Sequence, residues 1–169
     1  MSAIEERAAG STGKSTQSGG RPSVGEATRT LTLPQAPYGD AVHAALAAAG
    51  LVPDVMEAGL RSNGPRRLEL FLRMVWLPGH PGLADVQHDE GLTVAWSHLA
   101  GWSGWVGGYE PVLLDVNELA APELVADAAE HLAAHGTHRA WVPPADGRWS
   151  DAVYLDIALG RFEEREVNR

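Results

Sequence analysis

Between residues 67 and 77 the chain alternates, with Leu68, Leu70, Leu72, Met74 and Trp76 on one side and Glu69, Phe71, Arg73 and Val75 on the other. A two-residue period of this length predicts a strand with one apolar and one mixed face, as in an antiparallel sheet covered on one side. Residues 92–106 repeat the theme. Leu92, Val94 and Trp96 alternate with Thr93 and Ala95, and Gly101, Gly104, Gly107 and Gly108 punctuate the stretch from 101 to 108. Two short strands folded back about a turn near 99–101 are expected, with Trp96 and Trp102 paired across them. Weaker patterns predict a lead-in strand at 28–33 and strands at 55–58, 112–116 and 139–142, with a turn at 61–65 and a polar loop at 78–91.

Three segments carry the helical period instead. Residues 37–49 place Tyr38, Val42, Ala45, Leu46 and Ala49 on one stripe and His43 off it, with proline in the first turn and Gly50 after the last. Residues 122–134 place Leu124, Val125, Ala128 and Leu132 on another stripe, again with proline first and acids near the start. Residues 151–164 align Ala152, Leu155, Leu159 and Phe162, with Ser150 as the expected cap. The order is α-β-β-β-α with a C-terminal β-α extension. It predicts an α+β two-layer sandwich, an antiparallel sheet of three to five strands with helices on one face. Residues 1–28, rich in Ser, Thr, Gly and Gln, read as a disordered tail; 29–165 form the domain and 166–169 fray.

Charge narrows the partners. The chain has 22 acids and 13 bases, a formal charge of −9. The first 28 residues carry three of each, so the whole excess falls on the domain. Such a domain repels phosphate backbones and anionic membranes, which argues against nucleic acid and membrane partners. There is no cysteine, the start lacks an apolar signal core, and no apolar run reaches membrane-helix length. A cytoplasmic location is the expectation.

Residues 8–15, AAGSTGKS, imitate a phosphate loop. That chemistry needs a buried strand before the loop and a helix after it, and neither MSAIEER nor TQSGGRPS supplies one. The strand-and-helix order is also that of double-stranded-RNA-binding domains. Their second helix begins with lysines, whereas this one offers Glu123, Asp127 and Glu130. His131 and His135 are four apart, with Asp127 four before His131, a spacing that would let one helix face hold a divalent metal. His80, Asp85, His88, Asp89 and Glu90 crowd the 78–91 loop and offer acid–base groups. Neither set has the remaining members of a recognised catalytic arrangement, and no cofactor is expected.

The stretches APYGDAVHAALAAAGL, WSHLAGWSGWVGG and APELVADAAEHLAAHG resemble a family of small actinobacterial proteins of unknown function, over roughly residues 36–135. Twelve arginines to one lysine suit a GC-rich genome of that kind. The resemblance implies the fold and brings no activity or catalytic residue. The leading expectation is a non-enzymatic module that binds a protein or peptide, or itself. It would use the sheet face away from the helices near Phe71, Arg73, Trp102 and Trp105, or an exposed edge strand. The alternative is a small-molecule binder or metal-dependent enzyme using the 78–91 loop or the His131/His135 pair.

Overall fold

The structure, a computed structural model, describes residues 33–65 and 67–168. The tail at 1–28, the phosphate-loop imitation and nearly all of the 28–33 strand lie outside the described residues. Helix α1 (Ala36–Ala48) leads into strands β1 (Val55–Ser62) and β2 (Leu68–Trp76). A short helix α2 (Asp85–Glu90) precedes β3 (Leu92–Ser97), β4 (Gly101–Val106) and β5 (Val112–Leu113). Helices α3 (Pro122–His135) and α4 (Ala152–Val167) finish the fold. The strands form one antiparallel meander in the order β1-β2-β3-β4-β5, and the expected α+β sandwich is present.

Register assigns the two faces. Ala58, Leu72, Trp96 and Trp102 stand opposite one another across four strands, as do Met56, Met74, Val94 and Gly104. These rows form the covered face. Gly39 brings α1 down onto Leu72 and Met56, and Gly104 leaves room for Leu132 of α3. Trp76, Trp96 and Trp102 are fully buried, and each indole N–H finds an oxygen: Leu51 carbonyl at 3.2 Å, Glu118 carbonyl at 2.7 Å and Tyr38 hydroxyl at 3.1 Å. Large aromatics bring area to a core, and satisfying their polar edge removes the desolvation cost.

Several boundaries differ from expectation. β1 runs through Ser62, past the start of the expected turn, and just beyond it the Asn63 N–H donates to the Arg67 carbonyl at 2.7 Å. The 78–91 segment is not simply a polar loop. Leu83 joins the core, the Ala84 N–H donates to Ala133, and Gln87 of α2 is buried beside Gly136. β5 stops at Leu113, because the Val116 N–H turns back onto Leu114 in a tight bend. Residues 139–142 form no strand; the Arg139 carbonyl accepts from His131 rather than from a neighbouring chain. Asp151, not Ser150, stands at the α4 N-cap, with no side-chain capping bond. That helix continues to Val167, so Glu166 and Val167 are helical rather than frayed.

Candidate functional site

The second face of the sheet carries the other register rows: Glu57, Arg73, Ala95 and Ser103; Gly59, Phe71 and Ser97; Val55, Val75, Thr93 and Trp105. Among the described residues no helix lies on it. Its centre is a shallow depression of about 400 Å³ whose floor and walls include Phe71, Ala95, Ser97, Ser103 and Trp105. Two ion pairs edge it. Arg61 grips Glu69 through two nitrogens, at 2.8 and 3.1 Å, and Arg73 reaches Glu57 at 3.2 Å.

Arg61 also lies over the Phe71 ring, 5.0 Å from its centroid, a cation–π contact. Hydrogen bonding from Arg61 holds the Glu69 carboxyl below its usual range, against the upward push of burial, and Ser97 assists. With two arginines and two glutamates the rim is locally neutral, unlike the acidic chain as a whole. Such a surface offers aromatic area, hydroxyls and unstrained ion pairs.

Of the four residues expected on this face, Phe71, Arg73 and Trp105 are here, each half-buried. Trp102 is not. It is 1% exposed, on the covered face, opposite Trp96. Residues three apart in a regular strand point to opposite sides, so Trp102 and Trp105 cannot share a surface.

The metal expectation meets a different arrangement. The rings of His131 and His135 lie 4.9 Å apart, but His131 Nε2 donates to the Arg139 carbonyl at 2.9 Å. Asp127 accepts from the Trp141 indole at 2.8 Å. These side chains tie the 139–142 segment to α3, and among the described residues no three His, Asp or Glu side chains converge on one point. In the 78–91 segment His80 takes the Gly82 N–H on Nδ1 and donates from Nε2 to Val52, both at 3.0 Å. It holds the loop to the end of α1, while His88 and Asp89 point outward.

A further cavity was not anticipated from sequence. About 570 Å³ opens between the β1–β2 turn, the β3–β4 turn and α4, lined by Leu68, His98, Phe162 and Val167 with Arg67 and Glu163 at its edge. His98 stacks edge-on against Phe162 at 5.5 Å and accepts the Leu70 N–H on Nδ1 at 3.0 Å. Only the spacing of Phe162 on the α4 stripe hinted at it. No helix of the described residues is long and apolar enough to cross a membrane. Compared with known families, curated proteins and solved structures, the chain shows no significant match to any.

Proposed function

We propose that this is a cytoplasmic, non-enzymatic binding module that takes a protein or peptide segment onto the uncovered sheet face. The observation that carries it is the depression there, floored by Phe71, Ala95 and Trp105 and edged by two ion pairs. Half-buried aromatics on a flat scaffold are the usual anchors of a peptide interface, and rim ion pairs set orientation more than affinity. Of the histidines and acids that chemistry would use, His80, His131 and Asp127 brace loops instead. The net charge of −9 disfavours nucleic acid. Membership of the small actinobacterial family of unknown function belongs to the same proposal and adds no activity.

The test is affinity purification from the native host with the parent and a Phe71→Ser/Trp105→Ser variant whose fold is checked by circular dichroism. The expected result is a partner held by the parent, lost by the variant, and mapped by NMR shifts to β2–β4. A partner that binds both equally overturns the reading.

A second reading, a small-molecule binder, rests on the 570 Å³ cavity at His98 and Phe162. Ligand screening by thermal shift supports it only if a hit loses its effect in Phe162→Ala.

A further inference from the structure

The free edge of β1 is the second surface of interest. The Leu70 N–H donates to His98 Nδ1 at 3.0 Å and the Leu70 carbonyl accepts from the His98 N–H at 3.2 Å, so its backbone is turned toward β3. Leu60 stands opposite Leu70 in the β1–β2 register. It therefore occupies a pair not hydrogen-bonded within the sheet, and its N–H and carbonyl point out of the edge. By the two-residue period the same holds for Met56, Ala58 and Ser62. Among the described residues no strand pairs with this edge. Edges of this length are normally blunted by proline, a bulge or charged side chains, and the two charges of β1, Glu57 and Arg61, are each already paired within the chain. β1 has eight residues, VMEAGLRS, in unbroken register, without proline or lysine.

We propose that β1 pairs antiparallel with β1 of a second copy of this chain, about a two-fold axis at Gly59, joining two five-stranded sheets into one of ten. The charges select this register. An axis at Gly59 sets Glu57 opposite Arg61 of the second copy, and Arg61 opposite its Glu57. Within each copy Glu57 already meets Arg73 and Arg61 meets Glu69. The result is two rows of alternating sign, each running Arg73, Glu57, Arg61, Glu69 across four strands. The axis also brings Ala58 opposite Leu60, both with outward backbone groups, so the new ladder is correctly phased.

On the covered-face side this buries Leu60, which is 46% exposed in the single chain, against Ala58 of the second copy. Moving the axis to Ala58 or Leu60 loses both charge pairs, and moving it to Glu57 sets that glutamate against itself. An axis between residues would oppose outward groups to inward ones. The Phe71 ring lies over Gly59, where a Cβ would come within 2.7 Å of it, so the axis position is free of any side chain of its own. Glu57 and Arg61 also line the depression, whereas Ala58 and Leu60 do not, so Ala58→Pro separates self-pairing at the edge from binding on the face.

Sedimentation equilibrium of the full chain at micromolar concentration and low salt is expected to give twice the 18.0 kDa chain mass. Ala58→Pro removes an outward N–H and leaves the β1–β2 ladder intact, so it should raise the dimer dissociation constant about tenfold or more. Glu57→Arg and Arg61→Glu should each weaken self-association, and an equimolar mixture of the two should restore it, because opposite charges then face each other at both sites. Circular dichroism checks each fold; if Ala58→Pro does not fold, the mixing experiment decides. A monomeric parent overturns the proposal, whether the edge is left bare, covered by the chain's own N-terminal segment or reserved for another protein. So does a dimer that native-like Ala58→Pro leaves unchanged, or one indifferent to both charge reversals.

Discussion

The Tyr38 hydroxyl accepts a hydrogen bond from the Trp102 indole at 3.1 Å while donating to the Ala120 carbonyl at 2.7 Å. One buried oxygen thus joins α1, β4 and the approach to α3. The ring is packed edge-on against Trp96 and Trp102 at 6.0 and 5.9 Å. Tyr38→Phe keeps the ring and orphans a donor and an acceptor in the core, which should cost about 1–3 kcal/mol in a urea unfolding curve. Burial also pushes the hydroxyl above its ordinary 10.0. The stability linked to it is complete below that pH and falls above it, since the unfolded chain ionises first. Tyr38→Phe should therefore show a flatter alkaline limb than the parent.

The two tryptophans of β4 should separate cleanly. Trp102→Ala opens a cavity beside Trp96 and Tyr38 and should cost about 3–5 kcal/mol. Trp105→Ser, on the half-exposed face, should cost about 1 kcal/mol, with the loss falling on partner binding instead. Denaturant midpoints at constant slope measure both, and equal losses would place Trp105 in the core.

Arg61 and Glu69 set an acid limit. The Glu69 carboxyl is held below its usual value of 4.5 by hydrogen bonds from Arg61. A depressed folded value contributes stability above pH 4.5 and loses it as pH falls through the folded value. Thermal unfolding of Glu69→Gln should accordingly be less stable than the parent at neutral pH, with the gap closing in acid. A gap that does not narrow as the pH falls below 4.5 would contradict the assignment of the loss to this ion pair.

Gly104 is where α3 meets the sheet. A Cβ there would run into Leu132 Cδ1. Gly104→Ala should destabilise by about 1–3 kcal/mol through overpacking. Adding Leu132→Ala should cost less than the sum of the two single changes, because the second makes room for the first. Strict additivity in this cycle would mean that the two side chains do not touch.

Much of the architecture was legible in local pattern. The alternation of Leu68 through Trp76 and the pairing of Trp96 with Trp102 are both present, as are the stripes of α1, α3 and α4. The site was half legible. Phe71, Arg73 and Trp105 share the uncovered face, and Trp102 could have been excluded by counting, since its partner Trp96 already belonged to the covered side. The α2 turn, the His80 brace and the early end of β5 were not legible. Each depends on a partner far along the chain: Ala133 for Ala84, Val52 for His80, Trp102 for Leu114.

Sequence by itself determined the type of the longer elements and the sidedness of β2, β3 and β4, because alternation and the helical stripe are properties of consecutive backbone dihedrals and the residues attached to them. The boundaries of α1 and α3 followed from proline and glycine for the same local reason. Tertiary structure alone decided which histidines brace loops rather than meet, and which edge stays unpaired among the described residues. Those outcomes rest on contacts between segments tens of residues apart, such as Tyr38 with Ala120 and Gln35 with the Gly59 carbonyl at 2.8 Å. Their energies enter only once the chain has closed the loops between them.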